Sequence, residues 1–338
     1  MLIIDSHFHF WPRRFFEKLA KRADAPNARP NAKGGYDVRA RSVDDFQSMG
    51  WDAWHDLDEQ FAHMDGLGHQ VDVVSSLGPM SVFFSALSKE EGKDYALEWN
   101  EEMAQAQRKH PGRFWGSAAI PMQDTQTALD VLDDAVGRLD LMGVNLPGSV
   151  GADARIDAER LEPYYARVAE LGLPMFLHPT DMIFSSMLEG YNGALHLSLG
   201  RVIEVSVAAS RLILSGLMER HDLKIVMSHT GGALPYQSGR MDKNTKAANL
   251  PRPVSEYMKR MYTDTVSPHT AGQKFAIEYY GVDRVMYGTD YPCWDPATCL
   301  KLLADIPLSA ADQQKLYYDN ARRILGLKDP EAAKIAAE

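Results

Sequence analysis

Eight short apolar runs, at residues 2–5, 71–76, 114–120, 142–146, 175–178, 225–229, 261–265 and 285–290, recur along this chain, each bounded by turn-forming residues. Between them, segments at 93–109, 125–139, 157–171, 202–219 and 270–280 place apolar residues three and four apart, the spacing of one helix face. Parallel strands need crossovers of about this length, so the pattern reads as repeated βα units. Eight repeats with no second pattern predict an α/β fold of the closed (β/α)8 TIM-barrel type, with an open doubly wound sheet as the alternative. Such a barrel uses roughly 250 residues, and the chain has 338. The surplus is expected in an inserted cap after the first strand, at about 10–65, where Trp11, Trp51 and Trp54 lie among proline, glycine and arginine residues. Residues 181–196 and 231–256 are further irregular segments, and the chain 1–338 reads as one barrel domain.

Composition narrows the partners. A formal net charge of −10, with no basic stripe, argues against nucleic acid, which is held by clustered Lys and Arg. Cys293 and Cys299 are too few for a disulfide framework and wrongly spaced for a cysteine zinc site, so a reducing cytoplasm is expected. The opening Met1-Leu2-Ile3-Ile4-Asp5 lacks the basic start and long apolar run of a signal peptide. No stretch approaches the roughly 18 apolar residues of a membrane span.

The chemistry gathers at the ends of the runs. Side chains alternate along a strand, so His7 and His9 in Asp5-Ser6-His7-Phe8-His9 point the same way and can grip one ion. Alone, the pair would serve as well in a packed core. His178 ends the fifth run, His229 the sixth and Asp290 the eighth. In barrel enzymes the carboxyl ends of the strands carry the active site, which favours a functional reading of the whole set. For Asp290 taken singly, capping of the next helix is a rival role.

These residues sit in motifs that resemble the amidohydrolase superfamily, in the branch containing 2-amino-3-carboxymuconate 6-semialdehyde decarboxylase and related nonoxidative decarboxylases. The motifs are Asp5-Ser6-His7-Phe8-His9, His178-Pro179-Thr180-Asp181-Met182, Leu212-Ile213-Leu214-Ser215-Gly216, Ser228-His229-Thr230-Gly231-Gly232, Gly239-Arg240-Met241-Asp242, Pro251-Arg252-Pro253-Val254-Ser255-Glu256-Tyr257 and Gly288-Thr289-Asp290-Tyr291-Pro292. The resemblance implies His7, His9, His178 and Asp290 as metal ligands, with His229 and Asp290 managing protons. Superfamily members with two metals carry a bridging lysine at the fourth strand; here that stretch is Gly143-Val144-Asn145-Leu146-Pro147, so one divalent ion is implied. Zinc is expected, and manganese also suits nitrogen and oxygen donors. Arg240 stands where the branch places an arginine for a substrate carboxylate, often in a neighbouring subunit's site, and the resemblance implies a homodimer. Arg39 and Arg41 are further arginine candidates, in a stretch that departs from the decarboxylase pattern.

The implied reaction is zinc-dependent nonoxidative decarboxylation of an aromatic or muconate-type acid. Hydrolysis of a C–C, lactone or amide bond in an aromatic-catabolism intermediate would use the same parts in another order. A noncatalytic barrel that binds ligands through its cap is a third hypothesis, but it leaves buried polar groups unexplained. Trp51 and Trp54 either line an aromatic pocket or seal the cap, with sealing favoured. His269, just past the seventh run, is expected in a surface loop near the mouth.

Overall fold

The protein is seen here in a computed structural model that describes residues 1–40, 46–76, 78, 81–150, 155–180 and 187–327. Eight parallel strands form its centre: β1 (Leu2–Phe8), β2 (Gln70–Ser75), β3 (Phe114–Gly116), β4 (Val144–Pro147), β5 (Pro174–His178), β6 (Lys224–Met227), β7 (Tyr262–Asp264) and β8 (Val285–Met286). Hydrogen-bonded ladders run β1-β2-β3 along one arc and β4 to β8, in order, along the other.

Two seams close the ring. At one, the Ala118 amide donates to Gly143 at 2.8 Å and the Asn145 amide donates to Ala118 at 2.9 Å. At the other, the amides of Ser6, His9 and Asp290 donate to the carbonyls of Tyr287, Tyr291 and His7 at 2.9, 2.9 and 2.8 Å. First and last strands are therefore neighbours, which excludes the open doubly wound sheet. The chain is a (β/α)8 barrel.

Side-chain parity explains the interior. Ile4, Val74, Trp115, Phe176, Val226 and Met286, one from each of six strands, meet Ile324 and Leu325 in a lumen cluster, so the barrel is a packed core. Their neighbours Ile3, Val73, Leu146, Met175, Ile225 and Val285 face outward and join Val131, Val168, Val205 and Leu212 of the surrounding helices in the larger cluster. Each such side chain contributes about 1.5–3 kcal/mol when fully buried. The β1–β2 register shifts between Asp5 and Phe8. That irregularity resets the alternation, so His7 and His9 face the lumen although Ile4 does so below them.

Helix boundaries follow local chemistry. The helix Lys89–Lys109 starts from a capping box, Ser88 accepting from Glu91 N while Glu91 reaches back. The continuous helix expected at 202–219 instead stops after Arg201–Leu214, because Gly216 takes φ +76° and returns its amide to Ile213, before a short turn at Leu217–Arg220. Between β1 and β2 lie the helices Arg13–Leu19 and Leu57–Asp65 and an antiparallel sheet of Asn27–Pro30, Tyr36–Arg39 and Gln47–Met49. Phe15, Phe16, Tyr36, Val38 and Trp54 of this segment join the main core cluster, which fixes it to the barrel.

Candidate metal centre

The strand ends and the residues just past them bring His7, His9, His178 and Asp290 to one place, where one ligand atom from each lies within 4.8 Å of the others, and all four are buried. Every Nδ1 is turned away. That of His7 donates to Asp264 Oδ2 at 2.6 Å, that of His9 to the Ser76 carbonyl at 3.2 Å, and that of His178 to the Pro179 carbonyl at 2.9 Å. Three Nε2 lone pairs therefore face inward, and those of His7 and His178 have no hydrogen-bond partner among the described residues. His7 Nε2 lies 3.3 Å and His9 Nε2 2.8 Å from Asp290 Oδ1. Ligand atoms around a tetrahedral ion at 2.0–2.1 Å stand roughly 3.3 Å apart, so the donor set fits one divalent cation.

The charge balance agrees. Burial disfavours an imidazolium at His7, but Asp264 and Asp290 outweigh it and lift His7 to about 10. Burial lowers His9, and it drives His178 well below the ordinary histidine range. Burial likewise opposes ionisation of Asp290, yet the histidines around it hold its carboxyl well below the usual range.

Asp290 follows β8 by four residues at φ +63°. It does not cap the next helix; Asp295 does, accepting from Ala297 N at 2.9 Å. Asp5 secures the same corner by accepting from the Thr289 amide and hydroxyl at 3.1 and 2.5 Å and from the His7 amide at 3.1 Å. Burial pushes the Asp5 carboxyl up to about 7. Asn145, where a second metal would need its bridging lysine, donates to Ser117 and Ala118 carbonyls at 3.1 Å and belongs to the seam.

His229 stands beside the set. Its Nε2 is 3.9 Å from Asp290 Oδ2, its ring lies 5.2 Å from that of His7, and its Nδ1 has no partner among the described residues. Arg240 is not in this group. It is exposed on the helix Leu234–Asn244, with no ion pair among the described residues. Arg39 donates to Asn27 Oδ1 at 3.1 Å within the segment's own sheet, and Arg41 lies outside the described residues. Trp54 lies nearly parallel to the His9 ring, 5.8 Å away and 4% exposed, and packs on Trp11; Trp51 is 40% exposed, edge-on to Trp54. Trp54 thus has the sealing position. His269 is exposed at the start of the helix Thr270–Tyr280.

Two site residues escape the sequence reading. Asp264 ends β7 as His178 ends β5, and that position was its available signal. Gly78, at φ +61°, lies so close that an added Cβ would stand 3.0 Å from His9 Cε1 and 3.6 Å from His178 Cε1. No motif marks it.

A closed parallel barrel with histidines and a carboxylate converging at its carboxyl end defines a metal-dependent barrel enzyme. The sequence profile of the Amidohydrolase family matches residues 4–327, and the chain belongs to that family. It is similar to a gamma-resorcylate decarboxylase from a Rhizobium species, 29% identical over 250 residues that cover 69% of this chain and 76% of the relative. It is also similar to the 2-amino-3-carboxymuconate-6-semialdehyde decarboxylase of Dictyostelium discoideum, 26% identical over 269 residues, covering 76% of this chain and 73% of the relative. Among solved structures, a dihydroxybenzoic acid decarboxylase from a Polaromonas species, with bound manganese and the inhibitor 2-nitroresorcinol, superposes with a TM-score of 0.76. That match is 22% identical and covers 97% of this chain and 98% of the other. Among the described residues no helix is long and apolar enough to cross a membrane.

Proposed function

We propose that this protein is a nonoxidative decarboxylase, a carboxy-lyase for an aromatic or muconate-type carboxylic acid. The observation that carries the reading is the convergence of three inward Nε2 lone pairs on Asp290, with His229 beside them, in a chain whose relatives are decarboxylases. In this reading His7, His9, His178 and Asp290 hold one divalent ion, zinc or manganese. When bound, the ion supplies Lewis-acid polarisation of a substrate oxygen.

The remaining steps belong to the chain's own side chains. His229 delivers a proton through Nε2 to the carbon that bears the carboxylate, and Asp290 offsets the charge on that imidazolium. The C–C bond then breaks, its electron pair returns to the unsaturated system, and CO₂ leaves with the new C–H bond in place. Trp54 shields His9 from water on the cap side. Arg240 supplies a bidentate fork for a substrate carboxylate. Its exposure and lack of an ion pair among the described residues suit a role across the contact of a homodimer. Two cysteines are too few for a disulfide framework, which suits a reducing cytoplasm.

Incubating the zinc-loaded and manganese-loaded protein with a panel of phenolic and muconate-type acids tests the reading. Stoichiometric CO₂ with a single decarboxylated product is expected. Two organic products that carry solvent oxygen would overturn it in favour of hydrolysis.

A further inference from the structure

We propose that Asp264 is a positioning residue that couples the metal ligand His7 to the orientation of His229. The inference rests on the reading of His7 as a ligand, and it concerns a carboxylate outside the proposed ligand set. Asp264 is buried at the end of β7 and accepts four hydrogen bonds. Oδ2 takes His7 Nδ1 at 2.6 Å and the His229 amide at 3.1 Å; Oδ1 takes the amides of Thr230 and Val266, each at 3.0 Å.

The arrangement solves two problems with one group. Donation from His7 Nδ1 fixes the tautomer whose Nε2 lone pair faces the metal position, and a carboxylate partner raises the basicity of that nitrogen. His229 and Thr230 meanwhile occupy consecutive left-handed conformations, φ +56° and +54°, which non-glycine residues adopt only when held. Successive amides in such a turn form a concavity for an anion, and Asp264 fills it. The oxygen that tilts the His7 ring also carries the His229 amide, so a shift of one ring is transmitted to the other. Packing enforces the geometry from behind, since a Cβ on Gly288 would stand 2.9 Å from the Cβ atoms of both Asp264 and His7.

Asp264→Asn is the test, because an amide offers one acceptor oxygen and must turn its NH₂ toward donors on one side or the other. Metal affinity should fall on the order of 10–100-fold, the usual effect of losing a ligand's carboxylate partner. The visible spectrum of the cobalt-substituted protein should shift, and kcat at saturating metal should fall while KM stays within about threefold. Unchanged affinity together with an unchanged cobalt spectrum overturns the coupling. Amide hydrogen exchange in the zinc-loaded wild type serves if the variant does not fold: the His229 and Thr230 amides should be among the slowest outside the strands, and rapid exchange at both refutes the clamp. A wild type that binds no divalent metal defeats the ligand reading instead, so the two failures are told apart.

Discussion

His229, His7 and Gly78 each lend themselves to a direct measurement. Replacing His229 with Asn removes the proposed proton donor and leaves the proposed four-ligand set whole. We expect kcat to fall by roughly 10²–10⁴, with metal content, measured by atomic absorption, unchanged. His7 carries the site's proton in the metal-free protein, while burial keeps His9 and His178 neutral near pH 7. Each ion bound should therefore release about one proton, read by calorimetry in buffers of different ionisation enthalpy. The sign follows: His7 is lifted to about 10, so a falling pH favours its proton over the ion. Apparent affinity should drop about tenfold per pH unit through neutrality. Gly78→Ala places a methyl against His9 at a positive φ, at a cost of about 1–3 kcal/mol. A thermal melt and a metal titration should both register it. These three residues also mark what was legible beforehand. His7 and His229 end or follow apolar runs, where periodicity alone points. Gly78 is visible only after a loop from β2 has been laid against β1, a contact no local pattern encodes.

At the scale of elements, the segment after β1 was legible as extra chain but not as a sheet. Its strands are three or four residues long, too short for alternation to stand out, and they pair through turns whose partners lie elsewhere in the segment. Trp54 shows what the segment does. Buried against Trp11 and nearly parallel to His9, it joins the cap to the ligand set. Trp54→Ala should cost about 3–5 kcal/mol, the range for deleting a buried tryptophan. Near-ultraviolet circular dichroism should lose part of its aromatic signal while the far-ultraviolet spectrum of the barrel is retained. Helix positions were legible from the apolar spacing, and ends were less so. Gly216 stops a helix whose apolar spacing runs on past it, because backbone hydrogen bonding at a left-handed glycine outranks side-chain periodicity there.

For the whole molecule, barrel closure and ion binding are a single thermodynamic system. The proposed donors come from β1 and the residue just past it, from the end of β5 and from the segment after β8, so only the closed ring brings them together. An ion that binds only the folded chain adds about 2.7 kcal/mol at a concentration 100 times its Kd. Chelation should therefore lower the melting temperature, and zinc should restore it in a concentration-dependent way by scanning calorimetry. The eightfold repeat made the barrel legible because each unit carries its own signal. Closure itself was not encoded in any one unit, since it depends on backbone pairs between residues 6–9 and 287–291 at one seam and between 118 and 143–145 at the other.

That seam has a consequence for how the protein comes into being. His7 leaves the ribosome 283 residues before Asp290, yet the proposed centre needs both. During synthesis the early histidines are present without their carboxylate partner, so a growing chain can hold no finished centre. Under the proposed ligand set, stalled fragments that end before Asp290 should emerge from translation without the ion.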